Sequence, residues 1–161
     1  MSAGKIVTAE ELARVRDALA DGGRKLVFTN GCFDLLHVGH VRYLQAARAL
    51  GDALVVAVNG DDSVRALKGP TRPINPEADR AEVLAALECV DYVVIFPEVR
   101  ITRLFLTVRP QIYAKGGDYT PDTLDKGERA VIDEAGSEIR ILPLVPGRST
   151  TNILAAAACK P

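Results

Sequence analysis

Cysteine is scarce in this chain: three in 161 residues, at Cys32, Cys89 and Cys159, with no C-x-x-C pair. An odd, scattered set gives neither a disulfide framework nor a zinc or dithiol site, and it suits a reducing compartment. Basic charge is not in excess either. Lys plus Arg number 20 against 21 Asp plus Glu, so the chain lacks the field that gathers nucleic acid, and an anion has to be held by local geometry. No stretch reaches about 20 apolar residues, and MSAGKIVTAEEL has no apolar core of signal-peptide length, so the expectation is a soluble, cytoplasmic protein without a membrane partner. Also missing are a nucleophile elbow, a Walker G-x-x-x-x-G-K-[ST] loop, H-E-x-x-H, and any repeat or low-complexity linker. Histidine occurs only twice, as His37 and His40.

What is present is a regular alternation of apolar runs and amphipathic stretches. Thr8-Ala9-Glu10-Glu11 is a capping box opening a helix with Leu12, Val15 and Leu19 on one face, stopped by Asp21-Gly22-Gly23. Strands are expected at Leu26 to Phe28, Ala53 to Val58, Asp91 to Phe96, Gln111 to Ala114 and Ile139 to Val145. Between them come a short helix from Asp61 or Asp62 as cap to Leu67 and a proline-rich loop, KGPTRPINP. A helix from Pro76-Glu77 then buries Val83, Leu84 and Leu87, another carries Ile101, Leu104, Phe105 and Val108, and a polar one covers about 125–135. A last helix spans about Thr150 to Ala158. Strands alternating with helices imply right-handed crossovers, hence one α/β, Rossmann-like, doubly wound domain with a mostly parallel five-stranded sheet and helices on both faces. With strand order 3-2-1-4-5, the first and fourth strands meet where the order reverses. The loops Thr29 to His40 and Lys115 to Tyr119 then face each other at the ligand-binding edge.

The stretch Lys25 to Leu50, KLVFTNGCFDLLHVGHVRYLQAARAL, holds the chemistry. It reads as strand, Asn30-Gly31 turn, then a helix with Val41, Leu44 and Ala47 inward. His37 and His40, three apart on a first helical turn, share a face, and that turn offers unpaired N–H groups and the positive end of the helix dipole. Gly39 between them lets a phosphate approach the backbone, so the segment reads as a polyphosphate cradle. Cys32 in the same loop is either a small buried hydrophobe or a reactive thiol.

TNGCFDLLHVGH resembles the HxGH signature of the nucleotidyltransferase superfamily, and over Lys25 to Leu154 the chain is most similar to the heptose-1-phosphate adenylyltransferases. The resemblance implies a nucleotidyltransferase domain at 25–161 with the 1–24 helix packed on it. It implies transfer of AMP from ATP to a heptose 1-phosphate, releasing pyrophosphate, with His37, His40 and Lys68 catalytic. Thr29, Asn30, Gly31, Phe33 and Gly39 would line the nucleotide loop. Lys115, Gly116, Gly117 and Asp118, in KGGDY, would lie against base and ribose, although a tight strand-to-helix turn also wants those glycines. Arg148, Ser149, Thr150 and Thr151 resemble the family's C-terminal phosphate motif, and they also form an ordinary helix cap. Asn152 stands where the cytidylyltransferases have lysine. Asp34, Asn59, Asp61 and Arg80 would meet the sugar phosphate, Asp61 alternatively serving as a cap; Arg72 is a weaker choice. The resemblance further implies magnesium arriving with ATP and no dedicated protein metal site, no nucleic acid partner, a homodimer, and a separate upstream heptose kinase. The alternatives are a glycerol-3-phosphate cytidylyltransferase-like enzyme and a non-catalytic nucleotide-binding protein on the same fold.

Overall fold

The computed structural model describes residues 2–117 and 119–159. Five parallel strands form one sheet in the order β3-β2-β1-β4-β5: β1 (Leu26–Gly31), β2 (Ala53–Asn59), β3 (Tyr92–Phe96), β4 (Ile112–Gly116) and β5 (Glu138–Leu142). The helices are α1 (Ala9–Asp21), α2 (Val38–Arg48), α3 (Asp61–Lys68), α4 (Glu77–Ala85), α5 (Thr102–Val108), α6 (Lys126–Ala135) and α7 (Thr150–Ala158).

The continuous apolar runs follow from burial on both faces. Alternate residues of one strand feed two cores: Leu26, Phe28, Val55 and Ala57 pack with α1, α5 and α6, whereas Val27, Leu54, Val56 and Val58 pack with α2 and α4. All seven residues of β2 are buried. On the first face Phe28, Phe105 and Tyr113 meet edge to face or tilted, with centroids 5.1 to 6.3 Å apart. The α1 capping box is present, Thr8 Oγ1 accepting from the Glu11 N–H and Glu11 Oε2 from the Thr8 N–H. Just before it, Ile6 bridges Val93 in parallel and the Val7 N–H donates to the Val93 carbonyl at 2.9 Å, covering part of the β3 edge.

Four local expectations are corrected. Asn30 and Gly31 end β1 rather than turn the chain, because both still pair with β2, opposite Ala57 and Val58. β5 stops at Leu142, since Pro143 has no N–H for the ladder and an edge strand gains little by continuing. Val83 points outward, 52% exposed, and the buried face of α4 is Arg80, Ala81, Leu84 and Ala85. Finally, neither Asp61 nor Asp62 caps α3. Gly60 holds that position, and Glu77 Oε2 accepts from the Asp61 N–H at 2.7 Å in place of a capping side chain.

Candidate functional site

The carboxyl ends of β1 and β4 open into a cavity of about 380 Å³ at the reversal of strand order, lined in part by His37, His40, Lys68, Lys115 and Arg148. Of the remaining expected residues, Asn30, Gly31, Phe33, Gly39, Gly116, Ser149, Thr150 and Thr151 also face it. A larger cavity of about 570 Å³ lies at the β3 edge between α1 and α5 and contains none of them. Size alone therefore does not locate the chemistry.

The two imidazoles stack, centroids 3.9 Å apart and planes 26° from parallel. The reason differs from the expected helical spacing. His37 is not on a helical turn; it is the N-cap of α2, extended at φ −144°, and its Nδ1 accepts from the Gly39 N–H at 3.1 Å. An imidazole thus does the work usually given to Ser or Asp, and because Nδ1 accepts, the ring proton sits on Nε2. Phe33, in a left-handed conformation at φ 47°, makes the sharp bend after β1 and sets its ring edge against His40 at 5.3 Å. Burial, followed by the nearby His37, pulls His40 down to about 4. Burial and then the Arg148 guanidinium lower His37. Both rings are accordingly neutral near pH 7.

Gly39 allows this closeness. A Cβ there would lie 2.9 Å from His37 Cε1 and Nδ1 and 3.2 Å from Arg148 Cβ. Arg148 leads into α7, capped by Ser149, whose Oγ accepts from the Asn152 N–H at 3.1 Å, while Thr150 Oγ1 donates to the Leu35 carbonyl at 3.2 Å. Two helix N-termini, of α2 and α7, thereby meet at the cavity. Lys68 is the last residue of α3, not a loop residue, and is exposed at the rim. Asn152 turns back to the Gly147 carbonyl at 3.3 Å.

On the opposite wall Gly116 admits Tyr43 and Leu144, whose carbons would lie within 3.0 Å of a Cβ. Lys115 Nζ sits 4.5 Å from the Tyr119 ring centroid. Gly117, at φ 111°, takes the turn out of β4 but does not line the cavity, and Asp118 lies outside the described residues. Thr29 is beneath the floor, its hydroxyl 2.7 Å from the Tyr43 phenol, which burial pushes up to about 12. Asn30 Oδ1 accepts from the Tyr113 O–H at 2.9 Å. Tyr43, Leu144 and Val145 went unnoticed in the sequence. Only Tyr43 left a signal there, one helical turn after His40.

Of the four residues expected at the sugar phosphate, Asp34, Asn59 and Arg80 are buried and Asp61 is half-buried, and all four are engaged within the protein. Arg80, 2% exposed, donates to the carbonyls of Asn75, Cys32 and Asn59 and pairs with Asp61 Oδ1 at 2.8 Å. Asp34 accepts from the Ile74 and Asn75 N–H groups and from Arg72 Nε at 2.6 Å. Burial alone would raise its carboxyl, but those amides and the guanidinium outweigh it and hold it below the usual range. Asn59 donates to Ser63 Oγ at 3.2 Å. In this conformation the four fasten the α3 and α4 starts to the β1 loop. Asp34 and Arg80 also line a neighbouring cavity of about 330 Å³. Cys32 is half-buried at the cavity, and burial raises its thiol, which makes it a poor nucleophile. Among the described residues no group of three or more His, Cys, Asp or Glu is placed to hold a metal ion, and no helix is long and apolar enough to cross a membrane.

The family model described as cytidylyltransferase-like matches residues 28–155. The chain is 53% identical over 153 residues to the bifunctional protein HldE of Geotalea uraniireducens and 52% identical over 150 residues to that of Syntrophotalea carbinolica, covering 95% and 93% of this chain. It spans only about 31% and 30% of the length of those relatives. Among solved structures, the lipopolysaccharide core biosynthesis protein of Thermoplasma volcanium superposes with TM-score 0.63 and 31% identity, over 76% of this chain and 98% of that one.

Proposed function

The chain belongs to the cytidylyltransferase-like family, and on that premise we propose that it transfers AMP from ATP to D-glycero-β-D-manno-heptose 1-phosphate, giving ADP-heptose and pyrophosphate for lipopolysaccharide inner-core synthesis. The observation that carries this reading is the pair of stacked, neutral imidazoles at the α2 N-terminus, which share one cavity with Arg148 and Lys68. The choice of a heptose rests on the KGGDY resemblance, the identity to HldE proteins and the likeness to a lipopolysaccharide core biosynthesis protein.

In this mechanism an oxygen of the sugar phosphate attacks the α-phosphorus in line. The new P–O bond forms as the bond to the β-phosphate oxygen breaks, and the electron pair leaves on pyrophosphate. The nucleophile is already ionised above pH about 6, so no protein base is required. Catalysis is then positioning and charge stabilisation. His37 Nε2 and the His40 ring donate to phosphate oxygens as charge builds, Arg148 and Lys68 supply cations at the rim, and the α7 N-terminus with Ser149, Thr150 and Thr151 receives the departing pyrophosphate. Magnesium belongs to the substrate, carried on the triphosphate with water ligands. Asp34, Asn59, Asp61 and Arg80 shape the sugar-phosphate side by holding the β1 loop. A homodimer, a cytoplasmic location and a separate kinase supplying the heptose 1-phosphate complete the proposal.

The test is pyrophosphate release across a panel of nucleoside triphosphates and sugar phosphates. Release with ATP and the heptose 1-phosphate is expected. Preference for CTP with glycerol 3-phosphate would move the enzyme to the cytidylyltransferases, a reading that Asn152, turned from the cavity, disfavours. Nucleotide binding without release from any pair would leave only a binding protein.

A further inference from the structure

One buried carboxylate has no part in the chemistry above. Glu128, third residue of α6 and 4% exposed, lies behind the β4 wall of the cavity. It is not needed as a cap, because Asp125 Oδ1 already accepts from the N–H groups of Gly127 and Glu128. Its oxygens instead face two cations, Lys115 Nζ at 3.8 Å and Arg100 Nη1 at 3.9 Å. The Arg100 side chain is 54% exposed and also approaches Asp125 at 3.5 Å, so water and a second anion dilute its share. Lys115 is the better-shielded cation, and it lines the nucleotide cavity.

A buried carboxylate is costly unless a cation accompanies it, and a lysine is a mobile four-carbon stem unless something fixes its end. Each supplies what the other lacks. The Tyr119 ring covers the ammonium from another side at 4.5 Å. Glu128 also reaches the cavity floor by a second route: after burial, its charge is the next cause raising the Tyr113 phenol, whose O–H donates to the cavity residue Asn30. At 3.8 Å the pair is too long for a hydrogen bond, so the ammonium keeps its protons for an incoming phosphate or ribose oxygen.

We propose that Glu128 is a positioning residue that holds the Lys115 ammonium at the cavity wall, so that ATP meets a cation already in place. This rests on reading the cavity as the ATP site. Lys115 lines the same cavity as the two imidazoles, so a cation held there acts on nucleotide binding and its loss is read directly in ATP affinity.

The experiment is equilibrium titration of magnesium-ATP, without sugar phosphate, into the wild type, E128Q, K115M and the double variant, with melting temperatures alongside. Each single change should weaken ATP about tenfold. The double variant should bind no worse than K115M within about twofold, because the two side chains act as one unit. If E128Q fails to fold, E128D, which keeps the charge but withdraws it by a methylene, should weaken ATP at least about threefold. Unchanged affinity in the Glu128 variant, or a double variant weakened by the product of the singles, overturns the positioning role alone. A wild type that binds no ATP overturns the reading of the cavity, and this inference with it.

Discussion

Replacing Gly39 by alanine separates stability from catalysis at the α2 N-terminus. Gly39 is buried, adopts no left-handed conformation, and donates its N–H to His37 Nδ1 at 3.1 Å. Alanine fits that backbone, and helix propensity favours it by about 0.8–1 kcal/mol. The new methyl would stand 2.9 Å from two atoms of the His37 ring, inside contact distance, and 3.2 Å from Arg148 Cβ. The ring is the part that yields. Rotating it breaks the cap, at about 1 kcal/mol, and the 3.9 Å stack on His40. Gain and loss nearly cancel, so the melting temperature should stay within about 4 °C of wild type. Turnover has no such compensation: a displaced donor on the departing phosphate lowers kcat about 10²- to 10³-fold. Pyrophosphate release at saturating ATP and sugar phosphate, with a thermal melt of the same sample, measures both. Turnover within about threefold of wild type at unchanged melting temperature would refute the assignment of His37.

His37→Ala and His40→Ala should each leave the fold intact and lower kcat at least about 100-fold in the same assay; near-normal turnover in either contradicts its role. Arg80→Met should cost about 3 kcal/mol in denaturant unfolding, because it leaves three carbonyls without their donor and Asp61, whose side chain is 32% exposed, without its cation, and a loss below about 1 kcal/mol would mean that the network does not hold the loop. Stability should also depend on pH through His40. The unfolded chain takes up its proton near 6.5 and the folded protein only near 4, so stability is full above pH 6.5 and falls as the pH drops to about 4. Unfolding midpoints at several pH values in that window should flatten in His40→Ala, and an unchanged slope would show that the ring is not held neutral.

A sheet covered on both faces was legible because β2 and the first half of β1 are apolar without alternation, and the order 3-2-1-4-5 was a supposition supported by the two glycine-bearing loops it brings together. The reversal between β1 and β4 then placed two loops together before any geometry was known. What escaped the sequence was where each strand stops. Asn30-Gly31 has the composition of a turn, but ladder pairing with Ala57 and Val58 outweighs that local preference. The meeting of the two histidines was anticipated for an incomplete reason, since a cap followed by one helical turn also brings them face to face. For Arg80, Asp34, Asn59 and Asp61 the sequence was silent on the contacts they make in this conformation. A motif names residues without saying which way they face, and four polar side chains beside a loop can fasten it as readily as hold a ligand. Glu128 gave no signal at all, because a glutamate in a polar helix reads as solvated until β4 and the Arg100 loop are packed against it.

The distribution of charge around the cavity has a physical logic that net charge hides. Its two imidazoles are neutral, because burial lowers both, helped by Arg148 at His37 and by His37 at His40, while Lys68 and Arg148 are exposed at the rim. Two imidazolium rings at the 3.9 Å stacking distance, with two further cations at the rim, would repel one another with no anion present. The positive ends of α2 and α7 nevertheless face each other, held by the bond from Thr150 to the Leu35 carbonyl and by the Arg148 Cβ lying against Gly39. Two helix N-termini abutting in this way are mutually unfavourable until something negative lies between them. Helix α7 buries none of its own residues, so its packing does little to offset that repulsion. A polyanion removes the unfavourable term and satisfies the unpaired N–H groups at the same time, whereas a neutral ligand of equal size leaves the unfavourable term in place. Preference for a polyanion at this cavity then follows from how two helices end, not from the sign of the whole surface.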